Sequence, residues 1–231
     1  MIHVQNLSKS YNGNQVLHIE NLEIPRGQSF GLVGNNGAGK TTFFSLLLDL
    51  IQPTTGKITS NTIQINTSEK WKPFTSAFID ESFLIGYLTP EEYFYFIGEL
   101  RGWNKADVDQ FLTKHEDFFN GEILNNKKYL RDLSKGNSKK VGIIAALIGE
   151  PEIIILDEPF ANLDPTTQIR LKKIIKDLAD MKDVTILVSS HDLQHTVEVS
   201  NRIVALQKGQ IVKDLVPTSE TLKELEAFFS V

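Results

Sequence analysis

The sequence predicts an α/β fold: a mainly parallel sheet, an antiparallel β subdomain ahead of it, and an inserted α-helical subdomain. Three observations predict it. Two apolar runs, Ile153-Ile154-Ile155-Leu156 and Val184-Thr185-Ile186-Leu187-Val188, read as strands buried on both faces, as in a parallel sheet covered by helices. A glycine-rich turn at residues 34–39 lies between a short apolar strand and a helical run. The middle of the chain, about 82–150, carries helix signals alone.

In chain order, Ile2, Val4 and Leu7, then Val16, Leu17, Ile19, Leu22 and Ile24, alternate with polar residues and predict antiparallel strands with one wet face. Ser29–Val33 is the apolar strand that ends in glycine. Lys40 to Ile51 carries Phe43, Phe44, Leu46, Leu47, Leu48 and Leu50 at helical spacing, with Pro53 and Gly56 as the stop. Lys57–Asn66 predicts a further strand pair. In Thr89-Pro90-Glu91-Glu92, an N-cap, a proline at the first helical position and a glutamate three residues on form a capping box. A helix should follow to about Arg101. Asn104 predicts the cap of a second helix through Phe119, and Ser134 that of a third to about Gly149. The rings of Phe83, Tyr87, Tyr93, Phe94, Tyr95 and Phe96 are expected mostly in the core of this part, with one or two facing a partner. Asp164-Pro165 starts a lysine-rich helix, Arg202–Val212 reads as a hairpin turning at Gly209, and a last helix follows Pro217. All of it fits a single domain of 231 residues.

Composition narrows the function. A hydrophobic fraction of 41% and a charged fraction of 23% are those of an ordinary globular chain. The net charge of −5 gives no domain-wide basic field and argues against a nucleic-acid partner. The pairs Lys127/Lys128, Lys139/Lys140 and Lys172/Lys173 read as solvated faces. Without cysteine, disulfides and thiolate metal sites are excluded, which fits a reducing compartment. The opening residues lack the basic start and apolar core of a signal peptide. Val141–Leu156, the most apolar stretch, is interrupted at Gly149-Glu150-Pro151 and falls short of the ~20 residues that span a bilayer. Any membrane link is expected to run through another chain.

Gly34-Asn35-Asn36-Gly37-Ala38-Gly39-Lys40-Thr41 matches the phosphate-binding loop G-x-x-x-x-G-K-[ST], with Thr42 beside it. Its glycines let backbone amides point inward, and the following helix offers its positive N-terminus to phosphate. Lys40 is placed to reach the β and γ phosphates, and the Thr41 hydroxyl suits Mg²⁺. This makes the core a P-loop NTPase. Farther on, Ile153–Leu156 delivers Asp157 and Glu158 to a strand end. Two acids also cap many surface turns. Four aliphatics before them and Pro159 after favour Asp157 as the Mg²⁺ partner and Glu158 as the group that polarises attacking water.

These segments resemble the ABC ATPase family, as do three others. Leu133-Ser134-Lys135-Gly136-Asn137 is similar to its LSGGQ signature, Ala161-Asn162-Leu163-Asp164 to its D-loop, and Ser189-Ser190-His191-Asp192 to its switch-histidine segment. Tyr11 stands in the place of the adenine-stacking aromatic, and Glu81 in the place of the Q-loop glutamine. The LSKGN form resembles ATPases of bacterial ABC-2 exporters for drugs and lantibiotics. The resemblance covers residue 2 to about residue 216.

The resemblance implies an ATP-hydrolysing subunit that dimerises around ATP and Mg²⁺ and powers a separate membrane permease, an exporter. Glu158, His191 and Lys40 would be catalytic. Tyr11, Gly34–Thr42, Ser134, Gly136 and Asn137 would bind nucleotide, the last three across the dimer interface. Thr41, Asp157 and Glu81 would hold the metal. The expected place is the cytoplasm, peripheral to the cell membrane through the permease. The rival readings are a soluble cofactor-assembly ATPase and a non-hydrolysing nucleotide-dependent scaffold.

Overall fold

A computed structural model describes residues 1–230. Strands β1 (Ile2–Tyr11) and β2 (Asn14–Ile24) form an antiparallel hairpin, and β3 (Ser29–Val33) leads through the glycine-rich loop into α1 (Lys40–Leu47). β4 (Thr55–Ser60) and β5 (Ile63–Gln64) return to the hairpin, closing an antiparallel sheet of order β2-β1-β4-β5. After β6 (Thr75–Phe78) come the helices α2 (Pro90–Leu100), α3 (Lys105–Lys114), α4 (Glu116–Phe119) and α5 (Lys135–Ala145). Then follow β7 (Ile153–Asp157), α6 (Pro165–Asp180), β8 (Thr185–Ser190), α7 (Leu193–Val199), β9 (Arg202–Gln207), β10 (Gln210–Leu215) and α8 (Thr221–Phe229). The second sheet has the order β10-β9-β3-β8-β7-β6 and is parallel except for β10.

Alternation along the parallel strands builds two large cores and a smaller cluster of Val33, Ile203, Ala205 and Leu225. Ile154 and Leu156 of β7 pack with Phe94, Phe118 and the buried face of α5, while Ile153 and Ile155 pack with Phe43 and Phe44 of α1 on the other side. Burial of these side chains, at about 1.5–3 kcal/mol each, fixes the register of the strands that carry the site.

Several expectations need correction. α1 stops at Leu47, not Ile51, and neither Pro53 nor Gly56 stops it. Asp49 takes φ 54°, and the Asp49 and Leu50 amides bond back to Leu46 and Ser45, a Schellman motif built without glycine. The helix expected from Asn104 to Phe119 breaks at His115, which separates α3 from α4. α5 ends at Ala145, because the amides of Leu147 and Ile148 reach only three residues back. β6 was not expected at all: its four residues, TSAF, are too short and mixed to show a period.

Of the six aromatics expected mainly in the core, only Phe94 is fully buried. Tyr93 and Tyr95 are partly buried, whereas Phe83, Tyr87 and Phe96 are exposed. The reading of Lys139/Lys140 as a solvated face is overturned, since both are buried. They sit on α5, whose residues 138–145 are buried on every side, so no face of that turn is left for water.

Candidate active site

The site lies at the carboxyl ends of β3, β7 and β8, where open α/β sheets bind ligands. Gly39 precedes α1 with φ 106°, which a side chain would strain, so the chain can turn sharply into the helix with no side-chain cap. The first amides of α1 therefore face the loop. Lys40 is buried, and its Nζ donates to the Gly34 carbonyl at 2.7 Å. A cavity of about 310 Å³ is lined by Tyr11, Val16, Asn36 through Thr42, and Glu158. Asn35 shapes the loop by accepting a hydrogen bond from the Ala38 amide.

β7 and β8 bring the acids to this cavity. The Thr41 hydroxyl donates to Asp157 Oδ2 at 2.6 Å, and the Ser189 hydroxyl donates to Asp157 Oδ1. Burial raises the Asp157 carboxyl above its usual range, against these two hydrogen bonds, which lower it. A carboxyl raised on folding binds protons more tightly in the native chain, so stability falls as pH rises through that raised value. Asp157→Asn should therefore melt at a higher temperature than wild type at neutral pH, a gap that narrows in acid, while losing turnover. A lower melting point for the variant at neutral pH would contradict this.

Glu158 is held at every atom that can be held. Its amide donates to Ser189 Oγ at 3.0 Å, and its carbonyl accepts from Lys139 Nζ at 2.9 Å. Its Oε1 lies 3.2 Å from Lys40 Nζ, and its Oε2 lies 2.8 Å from His191 Nδ1 and accepts from the His191 amide at 3.2 Å. Its φ of 46° is in the left-handed region, which costs a non-glycine residue about 1–3 kcal/mol and persists only where the surroundings enforce it. The carboxylate is thus fixed between a cation and an imidazole at the cavity wall.

Of the remaining candidates only Tyr11 lines the same cavity. Ser134 caps α5, accepting from the Asn137 amide at 3.2 Å, and none of Ser134, Gly136 and Asn137 lines the 310 Å³ cavity. A Cβ at Gly136 would come within 2.8 Å of the Asn162 carbonyl, so only glycine lets the first turn of α5 approach the loop at Asn162. Tyr11 is 47% exposed at the rim, with the Lys9 ammonium 4.8 Å from its ring centroid. Glu81 opens a short 3-10 turn, and its Oε1 stands 3.7 Å from Lys139 Nζ. Among the described residues no three of the His, Cys, Asp and Glu side chains converge as metal ligands. The hard oxygens of Thr41 and Asp157 nevertheless suit Mg²⁺, which takes few protein ligands and keeps its waters.

Sequence reasoning missed the roles of two residues. Ser189 was noted only as a neighbour of His191, yet it links Asp157 to the Glu158 amide. Lys139, in a lysine pair, reads as a surface residue from sequence. The run Val141–Ile144 that follows the lysine pair is the signal that this turn is enclosed.

A phosphate loop facing two acids at the ends of a parallel sheet defines a P-loop nucleotide-binding protein. Residues 17–161 match the family model described as ABC transporter. The chain belongs to that family, as an ATP-binding subunit of the ABC ATPase class. It is 34% identical to the uncharacterized ABC transporter ATP-binding protein YhaQ of Bacillus subtilis, over 99% of this chain and 74% of that protein. It is 32% identical to the bacitracin transport ATP-binding protein BcrA of Enterococcus faecalis, over 93% of this chain and 69% of that one. The dimeric structure of MJ0796, a bacterial ABC transporter cassette, shares the fold with a TM-score of 0.85 at 23% identity, covering 95% of this chain and all of that one. Among the described residues no helix is long and apolar enough to cross a membrane.

Proposed function

We propose that the chain binds ATP with Mg²⁺, closes head-to-tail against a second copy or a related chain, hydrolyses ATP at the shared face, and drives a separate membrane permease that exports its cargo. The observation that carries this reading is the Glu158 carboxylate clasped between Lys40 and His191 beside the phosphate loop. Lys40 and the loop amides neutralise and orient the phosphates. Thr41 and Asp157 would hold Mg²⁺, which when bound offsets phosphate charge. Glu158 accepts the proton of the attacking water as general base, and His191 steadies its Oε2. The Ser134 hydroxyl and the Gly136 amide serve the nucleotide of the other protomer, since a helix N-terminus attracts phosphate.

The LSKGN form, which resembles that of ABC-2 exporter ATPases, supports export, and the bacitracin relative is named for transport alone. Relatives named for choline transport and for phosphonates import match at 29%, so the direction rests on the signature form. Light scattering of Glu158→Gln should give a dimer with MgATP and a monomer without it. A monomer in both conditions would overturn the interface reading. Co-purification with a hydrophobic polytopic chain separates a transporter from a cofactor-assembly ATPase or a scaffold.

Tyr11 is the proposed adenine platform. Tyr11→Ala should weaken nucleotide binding by about 1–3 kcal/mol, the worth of a stacked base, with turnover at saturating ATP little changed. An unchanged dissociation constant would make Tyr11 a rim residue only.

A further inference from the structure

We propose that Lys139 is a positioning residue for hydrolysis: its ammonium ties the Glu158 peptide to the Glu81 carboxylate and so sets the conformation of the general base. The inference rests on the assignment of Glu158 as that base. Lys139 is only 5% exposed, and a buried ammonium is tolerated only where partners replace its water. Its partners are the Glu158 carbonyl at 2.9 Å, Glu81 Oε1 at 3.7 Å, and the face of Phe78, whose centroid is 6.0 Å away.

Each partner needs Lys139 in turn. Glu158 holds a left-handed backbone, and its peptide is fixed by Ser189 on the amide and, on the carbonyl, by Lys139 at 2.9 Å and the Ala161 amide at 3.3 Å. Removing the ammonium leaves the carbonyl only the longer bond from the Ala161 amide, so the residue can relax toward ordinary φ and swing the carboxylate from Lys40 and His191. Glu81 Oε1 is buried without a hydrogen-bond partner, so the nearby ammonium compensates its charge. The cation lies between two acidic segments that would otherwise repel. The adjacent Lys140 offers a built-in contrast. It is as buried as Lys139, but its Nζ pairs with Glu122 Oε2 at 2.9 Å.

The test measures kcat and KM for ATP, with melting temperature, in the purified chain and its variants. Lys139→Met should lower kcat roughly 10–100-fold, the effect of removing an outer-shell partner, with KM for ATP little changed. The double variant Lys139→Gln with Glu81→Gln should regain most of kcat, because an amide can donate to the Glu158 carbonyl and no buried charge is left unpaired. Lys140→Met should lower the melting temperature and leave the kcat of the folded protein intact. Wild-type kcat in Lys139→Met, or equal losses in the Lys139 and Lys140 variants, would overturn the positioning role. So would a double variant that regains its melting temperature and not its kcat. Glu158→Gln, run alongside, separates the two claims. Its loss together with an unaffected Lys139→Met removes Lys139 alone, whereas no loss in either removes the base and its positioning residue together.

Discussion

Glu158→Gln should lose roughly 10²–10⁴-fold in turnover while still binding MgATP, the usual worth of a general base. Glutamine keeps the shape, so its amide can still contact His191, and the Ser189 and Lys139 bonds to the main chain of residue 158 are untouched. What is lost is the proton acceptor. The attraction between Lys40 and Glu158 Oε1 also disappears, which leaves the ammonium freer to meet phosphate. Nucleotide affinity should therefore hold or rise as turnover falls. Single-turnover phosphate release and equilibrium nucleotide titration read the two quantities separately, and a fall in both would mean that the residue binds instead of reacting.

Lys40→Ala should show the opposite pattern, weakening nucleotide binding by about 1.5–3 kcal/mol, or roughly 10–150-fold, because it removes a hydrogen bond from a cation to phosphate. In the structure the same ammonium satisfies the Gly34 carbonyl at 2.7 Å and neutralises Glu158 at 3.2 Å. Its loss leaves the Gly34 carbonyl without its donor and the half-buried Glu158 carboxylate with His191 alone, so stability should fall as well. Titration of a fluorescent ATP analogue checks the first effect and a thermal melt the second. Unchanged affinity in a folded variant would remove Lys40 from the phosphate site.

The fold was legible wherever one period dominated. Ile153–Leu156 and Thr185–Val188 are buried on both faces, and their composition says so, whereas Val184, expected in the second strand, lies before it and is half-buried. The capping box at Thr89 and Glu92 and the caps at Asn104, Ser134 and Asp164 are local hydrogen bonds, which sequence can show and the structure contains. Helix ends were less legible. The Schellman motif at Asp49 depends on an aspartate accepting a left-handed φ, which composition does not demand.

In the site, the phosphate loop and Asp157-Glu158 are contiguous in sequence and stood out for that reason. The contacts that fix them join residues far apart: Thr41 to Asp157, Ser189 to both acids, Lys139 to Glu158. No pattern within one segment encodes such a contact. Lys139 was misread for a related reason. Lysine is almost always solvated, and only the packing of α5 against β6 and the Glu81 turn takes the water away.

The central claim is that each catalytic site is shared, with Lys40, Glu158 and His191 from one protomer and Ser134 and Gly136 from the other. Mixing two inactive variants tests it most directly. Glu158→Gln removes the base, and Ser134→Arg blocks the signature turn at an exposed position. In a head-to-tail pair of the two, one site combines an intact phosphate loop and base with an intact signature. The mixture should therefore release phosphate from MgATP well above the sum of the separate proteins. A mixture no more active than that sum, with mixed dimers present by light scattering, would contradict the shared site.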